Sequence, residues 1–310
     1  MTVNPKVQAI ISSMEGAFPT PDESMSADEL RAAVHAAAAG TIPAAPEPIA
    51  YVEDRMVPGP GGDIPIRIYR PAGAPEVAPA LVFTHGGGFV LCDLDSHDGI
   101  CRALASASGA VFVAVDYRLA PEHPFPAPTD DGYAVLCWVA ESAAELGIDP
   151  NRIGLVGDSA GGGLVAAVAL MARDRAGPTV GLQVLVYPML DSRCDTPSHL
   201  NTGPGYFLKS EEVQWYWKRY LGAADPTDPY ASPSHAPDLS GVAPALIITA
   251  EHDPLRDEGE AYGAALAAAG VDVTVTRYDG VFHSFLSFLA VLDEAVEARD
   301  EIGAEIKRRL

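Results

Sequence analysis

Short apolar segments alternate with helix-like segments from about residue 80 to the end of the chain, and this alternation restricts the possible folds more than any other feature. The candidate strands are nearly unbroken apolar runs at 80–84, 110–115, 153–156, 182–187, 245–249 and 271–277. The candidate helices are at 97–107, 128–146, 160–175, 257–269 and 284–308. Strands that are apolar on both faces belong to a sheet covered on both sides, and helical connections make such strands parallel.

A hairpin precedes this region. Residues 51–57 and 64–69 flank the turn-forming cluster Pro-Gly-Pro-Gly-Gly at 58–62, which is typical of two antiparallel strands. With these two strands, the chain is predicted to form an α/β fold around a mostly parallel sheet of eight strands.

Two segments depart from the alternation. Residues 1–48 suggest one short helix near Ile10, a second opened by Ser26 with Glu29 three residues later, and a proline-rich linker. Residues 191–230 are irregular and aromatic and include a helix. We expect these two segments to form a helical cap over one end of the sheet, with 49–190 and 231–310 forming the main domain.

Composition excludes several classes of partner. The chain has 310 residues, 48% of them hydrophobic, and its 42 acidic and 20 basic residues give a net charge of −22 without a basic cluster. Such a charge argues against nucleic acid and membrane partners.

No apolar run approaches the roughly 18 residues of a membrane span, and the start does not resemble a secretory signal. Four cysteines without CxxC spacing indicate reduced thiols in a cytoplasmic protein. No HExxH motif or comparable clustering suggests a metal site.

The sequence Gly-Asp-Ser-Ala-Gly at 157–161 lies between a candidate strand and a candidate helix, which is the context that a nucleophilic serine turn requires. The turn is so tight that it needs glycine on both sides of the serine. We therefore interpret Ser159 as a nucleophile. The alternatives are a plain glycine-rich turn and a phosphate loop, although neither GxGxxG nor Gly-Lys-Ser/Thr is present.

The sequence His-Gly-Gly-Gly at 85–88 ends another candidate strand. Consecutive glycines let backbone amides approach a developing oxyanion closely. We predict that the amides of Gly87, Gly88 and Ala160 form an oxyanion hole and that His85 holds the loop through a side-chain hydrogen bond. A flexible surface loop is the alternative.

A serine nucleophile needs a base, and in sheets with this turn the chain order is serine, acid, histidine. Asp253 follows one strand, and His283 follows the next and is the only histidine after Asp253. We predict these two as acid and base. Asp257 and Asp279 remain rival acids, and the other histidines are expected to be surface or structural residues.

Four segments together resemble one family, the hormone-sensitive-lipase-like esterases, which are bacterial family IV of the α/β-hydrolases. The segments are HGGGF at 85–89, YRLAPEHPFPA at 117–127, GDSAGGGL at 157–164 and DPLRDEG at 253–259. The aspartate before the serine resembles the GDSAG branch of the family.

The resemblance implies a carboxylesterase without cofactor that prefers short or medium acyl esters. It also implies the triad of Ser159, Asp253 and His283, a helical cap, a structural role for residues 117–127, and dimers that often form through the last strand. One departure is Ser284, where the family usually has glycine after the histidine. This puts the local loop geometry in question.

Aromatic and apolar side chains are candidates for the wall of the substrate pocket, although each is equally expected as ordinary core. The candidates are Phe89, Tyr206, Phe207, Leu208, Trp215 and Phe285.

An amidase or peptidase on the same scaffold is a rival function. A second rival is a non-catalytic receptor, as in the plant gibberellin receptors that resemble this family but lack the histidine that is present here as His283.

Overall fold

Eight strands form one sheet in the computed structural model, which describes residues 5–14, 21, 25–39, 47–201 and 206–310. In chain order they are β1 (Tyr51–Gly59), β2 (Gly62–Arg70), β3 (Ala78–Thr84), β4 (Val111–Val115), β5 (Ile148–Asp158), β6 (Gln183–Val186), β7 (Ala245–His252) and β8 (Val273–Phe282). Their order across the sheet is β1-β2-β4-β3-β5-β6-β7-β8. β1 pairs with β2 and β2 with β4 in antiparallel fashion, and every later pair is parallel. The predicted eight-stranded, mostly parallel sheet is confirmed.

Helices connect the parallel strands and cover both faces of the sheet. They are α1 (Pro5–Met14), α2 (Ala27–Ala39), α3 (Asp98–Ser108), α4 (Ala127–Glu141), α5 (Ala143–Leu146), α6 (Ala160–Asp174), α7 (Pro197–Asn201), α8 (Ser210–Leu221), α9 (Arg256–Ala268) and α10 (Asp293–Arg309). None of these helices is long and apolar enough to cross a membrane.

Alternate residues of the central strands enter two different cores, which explains the unbroken apolar runs. In β3, Val82 packs in the core that includes side chains of α4 and α6. Its neighbours Leu81 and Phe83 pack in the opposite core, which includes side chains of α3 and α10. Full burial of such a side chain contributes about 1.5–3 kcal/mol, so both faces of the sheet stabilise the fold.

Two predicted helices have different bounds from those expected. The helix predicted at 128–146 is divided at Ser142 into α4 and α5. The helix predicted from residue 284 begins only at Asp293, because the preceding apolar residues, including Phe285 and Leu286, are buried in the core in a short 3₁₀ turn. Asp293 and Glu294 give the first turn of α10 the negative charge that favours a helix start.

The N-terminal helices begin as the sequence predicted. The Glu29 amide donates to Ser26 Oγ (3.2 Å), and the Ser26 amide donates to Glu29 Oε2 (2.9 Å), which is the expected capping box. Arg31 joins α2 to the main domain by donating to the carbonyls of Val90 and Ala120 and to the Glu122 carboxylate. The greater part of the predicted linker, residues 41–46, lies outside the described residues.

Candidate active site

The carboxyl ends of four strands bring the predicted site residues to one edge of the sheet. β3 and β5 are parallel neighbours with Thr84 opposite Gly157, so the loop after β3 lies beside the turn after β5. Asp253 directly follows β7 and His283 directly follows β8, and these two strands are also neighbours. Side chains that are distant in the sequence therefore converge at this edge.

Steric crowding explains the glycines of the serine turn. Ser159 has a φ of +55°, which side chains rarely adopt, and it links β5 to α6. A Cβ on Gly157 would lie 2.4 Å from the Gly161 carbonyl oxygen, and a Cβ on Gly161 would lie 2.0 Å from that of Thr84. Because the colliding atoms belong to the backbone, they cannot move aside without distorting the sheet.

We expect G161A to destabilise the protein by about 3 kcal/mol, because overpacking against fixed backbone atoms costs roughly that much. Gly99 in α3 is a matched control, since a Cβ there would meet no atom within 4 Å. G99A should be neutral or up to about 1 kcal/mol more stable, as alanine is a better helix former than glycine. Urea unfolding measures both changes. An unfolding midpoint for G161A equal to that of the unmodified protein would show that the turn is not tight.

The three predicted triad side chains form one hydrogen-bonded chain. Ser159 Oγ lies 2.9 Å from His283 Nε2, and His283 Nδ1 lies 2.7 Å from Asp253 Oδ2. The second oxygen of Asp253 accepts the Leu255 amide at 2.8 Å, which fixes the carboxylate. Ser159 is 7% exposed, His283 3% and Asp253 0%, so only the serine end of this chain approaches solvent.

Neither rival acid is the partner of His283 Nδ1. Asp257 lies in the first turn of α9, where its carboxylate accepts the Ser198 amide and the Arg256 guanidinium. Asp279 is part of β8 itself. Asp253 is the carboxylate that accepts the hydrogen bond of His283 Nδ1.

Ser284 adopts the conformation that glycine would supply in its place. Its φ is +67°, in the left-handed region. A side chain held there costs about 1–2 kcal/mol, but the His283 contacts with Ser159 and Asp253 are formed. The departure from the family pattern therefore leaves the loop geometry intact.

The glycine-rich loop after β3 lies beside the serine turn. Gly87 and Gly88 have φ values of +106° and +62°. Among the described residues, the amides of Gly87, Gly88 and Ala160 donate to no protein acceptor. A Cβ on Gly88 would lie 2.3 Å from the ring of Tyr216, so helix α8 packs directly on this loop. Gly87 and Gly88 also line the cavity that contains Ser159.

His85 holds this loop, as predicted, and does not touch the triad. Its Nδ1 donates to the Gly86 carbonyl (2.7 Å), and its ring stacks on Tyr117 at 4.3 Å. Burial, with His97 nearby, lowers the pKa of His85 to about 4, so the ring is neutral at neutral pH. The Tyr117 hydroxyl donates to the His85 carbonyl (2.8 Å), which agrees with a structural role for the segment that begins at Tyr117.

A cavity of about 590 Å³ opens over Ser159 and His283. Three of the predicted pocket residues line it, namely Tyr206, Phe207 and Leu208. The other three do not line it and pack elsewhere. Phe89 stacks on Tyr220, Trp215 contacts the neighbouring Tyr216 edge-on, and Phe285 packs on Tyr187. Aromatic composition identified the region but could not show which side of each element faces the cavity.

Sequence reasoning missed several residues of the cavity wall. Ile11 of α1, Leu30 and Val34 of α2, and Tyr216 of α8 all line it. The spacing of Leu30 and Val34, four residues apart on one helix, was the signal that α2 presents an apolar face. Both segments that interrupt the α/β alternation therefore contribute to one cavity.

The described residues contain no group of three or more His, Cys, Asp and Glu side chains that could hold a metal ion. A polarised serine, a histidine oriented by a carboxylate, and unpaired amides are the components of nucleophilic acyl transfer.

Comparison with known proteins agrees with this arrangement. The protein family described as alpha/beta hydrolase fold matches residues 81–287. The carboxylic ester hydrolase LipN of Mycobacterium tuberculosis is 44% identical over 266 residues, covering 84% of this chain and 70% of LipN. The ethyl acetate hydrolase of Pseudomonas putida is 37% identical over 308 residues, covering 96% of both chains. The solved structure of a hyperthermophilic esterase from the archaeon Pyrobaculum calidifontis superimposes with a TM-score of 0.91 at 43% identity, covering 99% of both chains.

The chain therefore belongs to the α/β-hydrolase family. Within that family it is one of the hormone-sensitive-lipase-like carboxylic ester hydrolases, as its motifs had indicated.

Proposed function

We propose that this protein is a serine carboxylesterase of the GDSAG branch that hydrolyses short- to medium-chain acyl esters through an acyl-enzyme. The observation that carries the proposal is the hydrogen-bonded chain from Ser159 through His283 to Asp253, which opens into an apolar cavity. The esterases among its relatives support the same reaction class.

The proposed reaction begins when His283 Nε2 takes the proton of Ser159 Oγ as the oxygen attacks the ester carbonyl. Asp253 accepts the Nδ1 proton in a hydrogen bond and stabilises the imidazolium without becoming protonated. The tetrahedral intermediate then breaks its bond to the alcohol oxygen, which receives the proton from His283. Water repeats the sequence on the acyl-enzyme and releases the acid.

The amides of Gly87, Gly88 and Ala160 are proposed to donate to the oxyanion of each tetrahedral intermediate. Loss of one such donor costs about 10²–10³-fold in rate, so the three together supply much of the acceleration. Their positions are fixed before substrate arrives, by the packing of Tyr216 on Gly88 and by the Ser159 turn. No reorganisation is then needed as charge develops.

We infer that residues 1–48 and 191–230 form a cap that sets acyl length. The supporting observation is that α1, α2 and the segment from Tyr206 to Tyr216 all line the cavity above Ser159. Its volume, about 590 Å³, lies within the usual range for small-molecule sites and favours modest acyl groups over long triglycerides.

The experiment is a series of p-nitrophenyl esters from acetate through butyrate and octanoate to palmitate. L208W fills part of the cavity and should lower kcat/KM for octanoate about tenfold more than for acetate. L200W is the control, because Leu200 lies in the same inserted segment but is 74% exposed and does not line the cavity. An unchanged acyl profile in L208W would contradict the assignment of this wall. Failure of the unmodified protein to hydrolyse any of these esters would contradict the function itself.

Two further proposals concern the protein in the cell. All four cysteines are unpaired thiols, which supports a cytoplasmic location. β8 is the last strand of the sheet that the described residues form, and this edge position supports dimerisation through β8.

A further inference from the structure

The side chain of Asp158, directly before the nucleophile, lies between the serine turn and the glycine-rich loop. Its Oδ1 accepts the Gly86 amide at 3.0 Å, and the residue is 3% exposed. A Cβ on Gly86 would lie 2.6 Å from Asp158 Oδ2, so the loop backbone is pressed against this carboxylate. Asp158 thus connects the element that carries the nucleophile to the element that carries two of the proposed oxyanion donors.

The same carboxylate oxygen faces a histidine. His97 Nε2 lies 3.4 Å from Asp158 Oδ1, and His97 is 8% exposed. The imidazole also lies close to two other rings, with centroid distances of 5.5 Å to His85 and 6.0 Å to Phe83. The ring therefore packs against two buried aromatic side chains, and His97 also lines the cavity above Ser159.

The other side of the imidazole is fixed by a small turn that precedes α3. His97 Nδ1 lies 3.1 Å from Ser96 Oγ. Ser96 is itself held by Asp93, because the Ser96 amide donates to the Asp93 carboxylate and the Asp93 amide donates to Ser96 Oγ. Both ring nitrogens of His97 thus have partners in defined positions.

The buried charge of Asp158 needs neighbouring groups that stabilise it. Burial works against a charged carboxylate, but His97, His85 and the Gly86 amide outweigh it and hold the pKa of Asp158 below its ordinary value. A buried carboxylate that loses a stabilising neighbour turns toward another or draws in water. Either response would move the Gly86 amide and, with it, the adjoining peptide units.

We propose that His97 is a positioning residue for the oxyanion loop, acting through Asp158. The imidazole holds the carboxylate in the orientation in which it accepts the Gly86 amide, and this sets the direction of the Gly87 and Gly88 N–H groups. His97 lines the cavity but is hydrogen-bonded to neither Ser159 nor His283, and the proposed effect on the reaction passes through Asp158. The inference rests on the proposed function.

The first test compares three variants of His97 with p-nitrophenyl butyrate. H97L removes both ring nitrogens while keeping apolar bulk, and kcat should fall about 10- to 100-fold with KM within about twofold, since a displaced donor weakens oxyanion binding. H97Q places an N–H where Nε2 lies and should restore most of kcat. H97N is too short to reach Asp158 and should not. H123L is the control, because His123 is exposed and should leave the kinetics unchanged.

A packing role alone would give a different result, with H97Q as impaired as H97L. If H97L fails to fold, as judged by circular dichroism and thermal melting, the pair H97Q and H97N still separates the two roles. Wild-type kcat in a folded H97L, or equal kcat in H97Q and H97N, would overturn the proposal. Absence of ester turnover in the unmodified protein would instead overturn the proposed function.

The second test asks whether His97 acts through Asp158. D158N keeps a carbonyl oxygen for the Gly86 amide but removes the charge that faces His97. The double variant H97L/D158N should then be little worse than the more impaired single variant, which is the non-additivity of one connected unit. Losses in kcat that multiply would show that the two residues act independently and would overturn the proposed route.

Discussion

Replacing Ser159 by alanine should reduce kcat for p-nitrophenyl butyrate on the order of 10⁶-fold, the loss seen when the nucleophile of a triad is removed. The variant deletes only the oxygen that faces His283 Nε2, so the residue keeps its Cβ and the strained turn keeps its backbone. Folding should therefore be unaffected, and the thermal melting curve should overlay that of the unmodified protein.

S287A is the matched control for this experiment. Ser287 also lines the cavity, but its hydroxyl has no place in the proposed relay, so kcat should stay within about twofold. Substantial turnover by S159A, or an equal loss in S287A, would mean that another group attacks the ester.

Replacing Asp253 by asparagine should lower kcat about 10⁴-fold with little change in stability. The carboxylate now accepts from His283 Nδ1, which leaves Nε2 free to take the serine proton. An asparagine amide that donates to Nδ1 would favour the opposite tautomer, in which Nε2 carries a proton and cannot act as the base. The loss should therefore appear in kcat far more than in KM.

The two rival acids provide controls of matched chemistry. D257N should leave kcat nearly unchanged, because the Asp257 carboxylate faces Ser198 and Arg256. D279N should do the same, since Asp279 lies within β8. A loss of kcat in D257N as large as that in D253N would show that Asp253 had been wrongly assigned as the acid.

The sequence predicted the sheet well because its pattern depends on local constraints, and the predicted triad side chains are hydrogen-bonded to one another. Apolar runs without alternation require a sheet buried on both faces, and the two cores of β3 show why. The serine turn is recognisable from its two glycines, because backbone atoms of Gly161 and of Thr84 on the neighbouring strand exclude any side chain there.

The features that sequence reasoning missed depend on which elements become neighbours. The contact between His97 and Asp158 exists only because β3 lies beside β5, and the chain order does not reveal this pairing. The pocket wall was misassigned for a related reason. Trp215 and Tyr216 are adjacent and both aromatic, but consecutive residues of a helix point about 100° apart, so only Tyr216 lines the cavity.

The most direct test of the account is the reaction of the intact protein with a fluorophosphonate, followed by peptide mapping in a mass spectrometer. One adduct should form, on the peptide that contains Ser159, and its formation should be lost in S159A and slowed strongly in H283A. A stable fold with no adduct, or labelling at a serine other than Ser159, would contradict the assignment of the nucleophile.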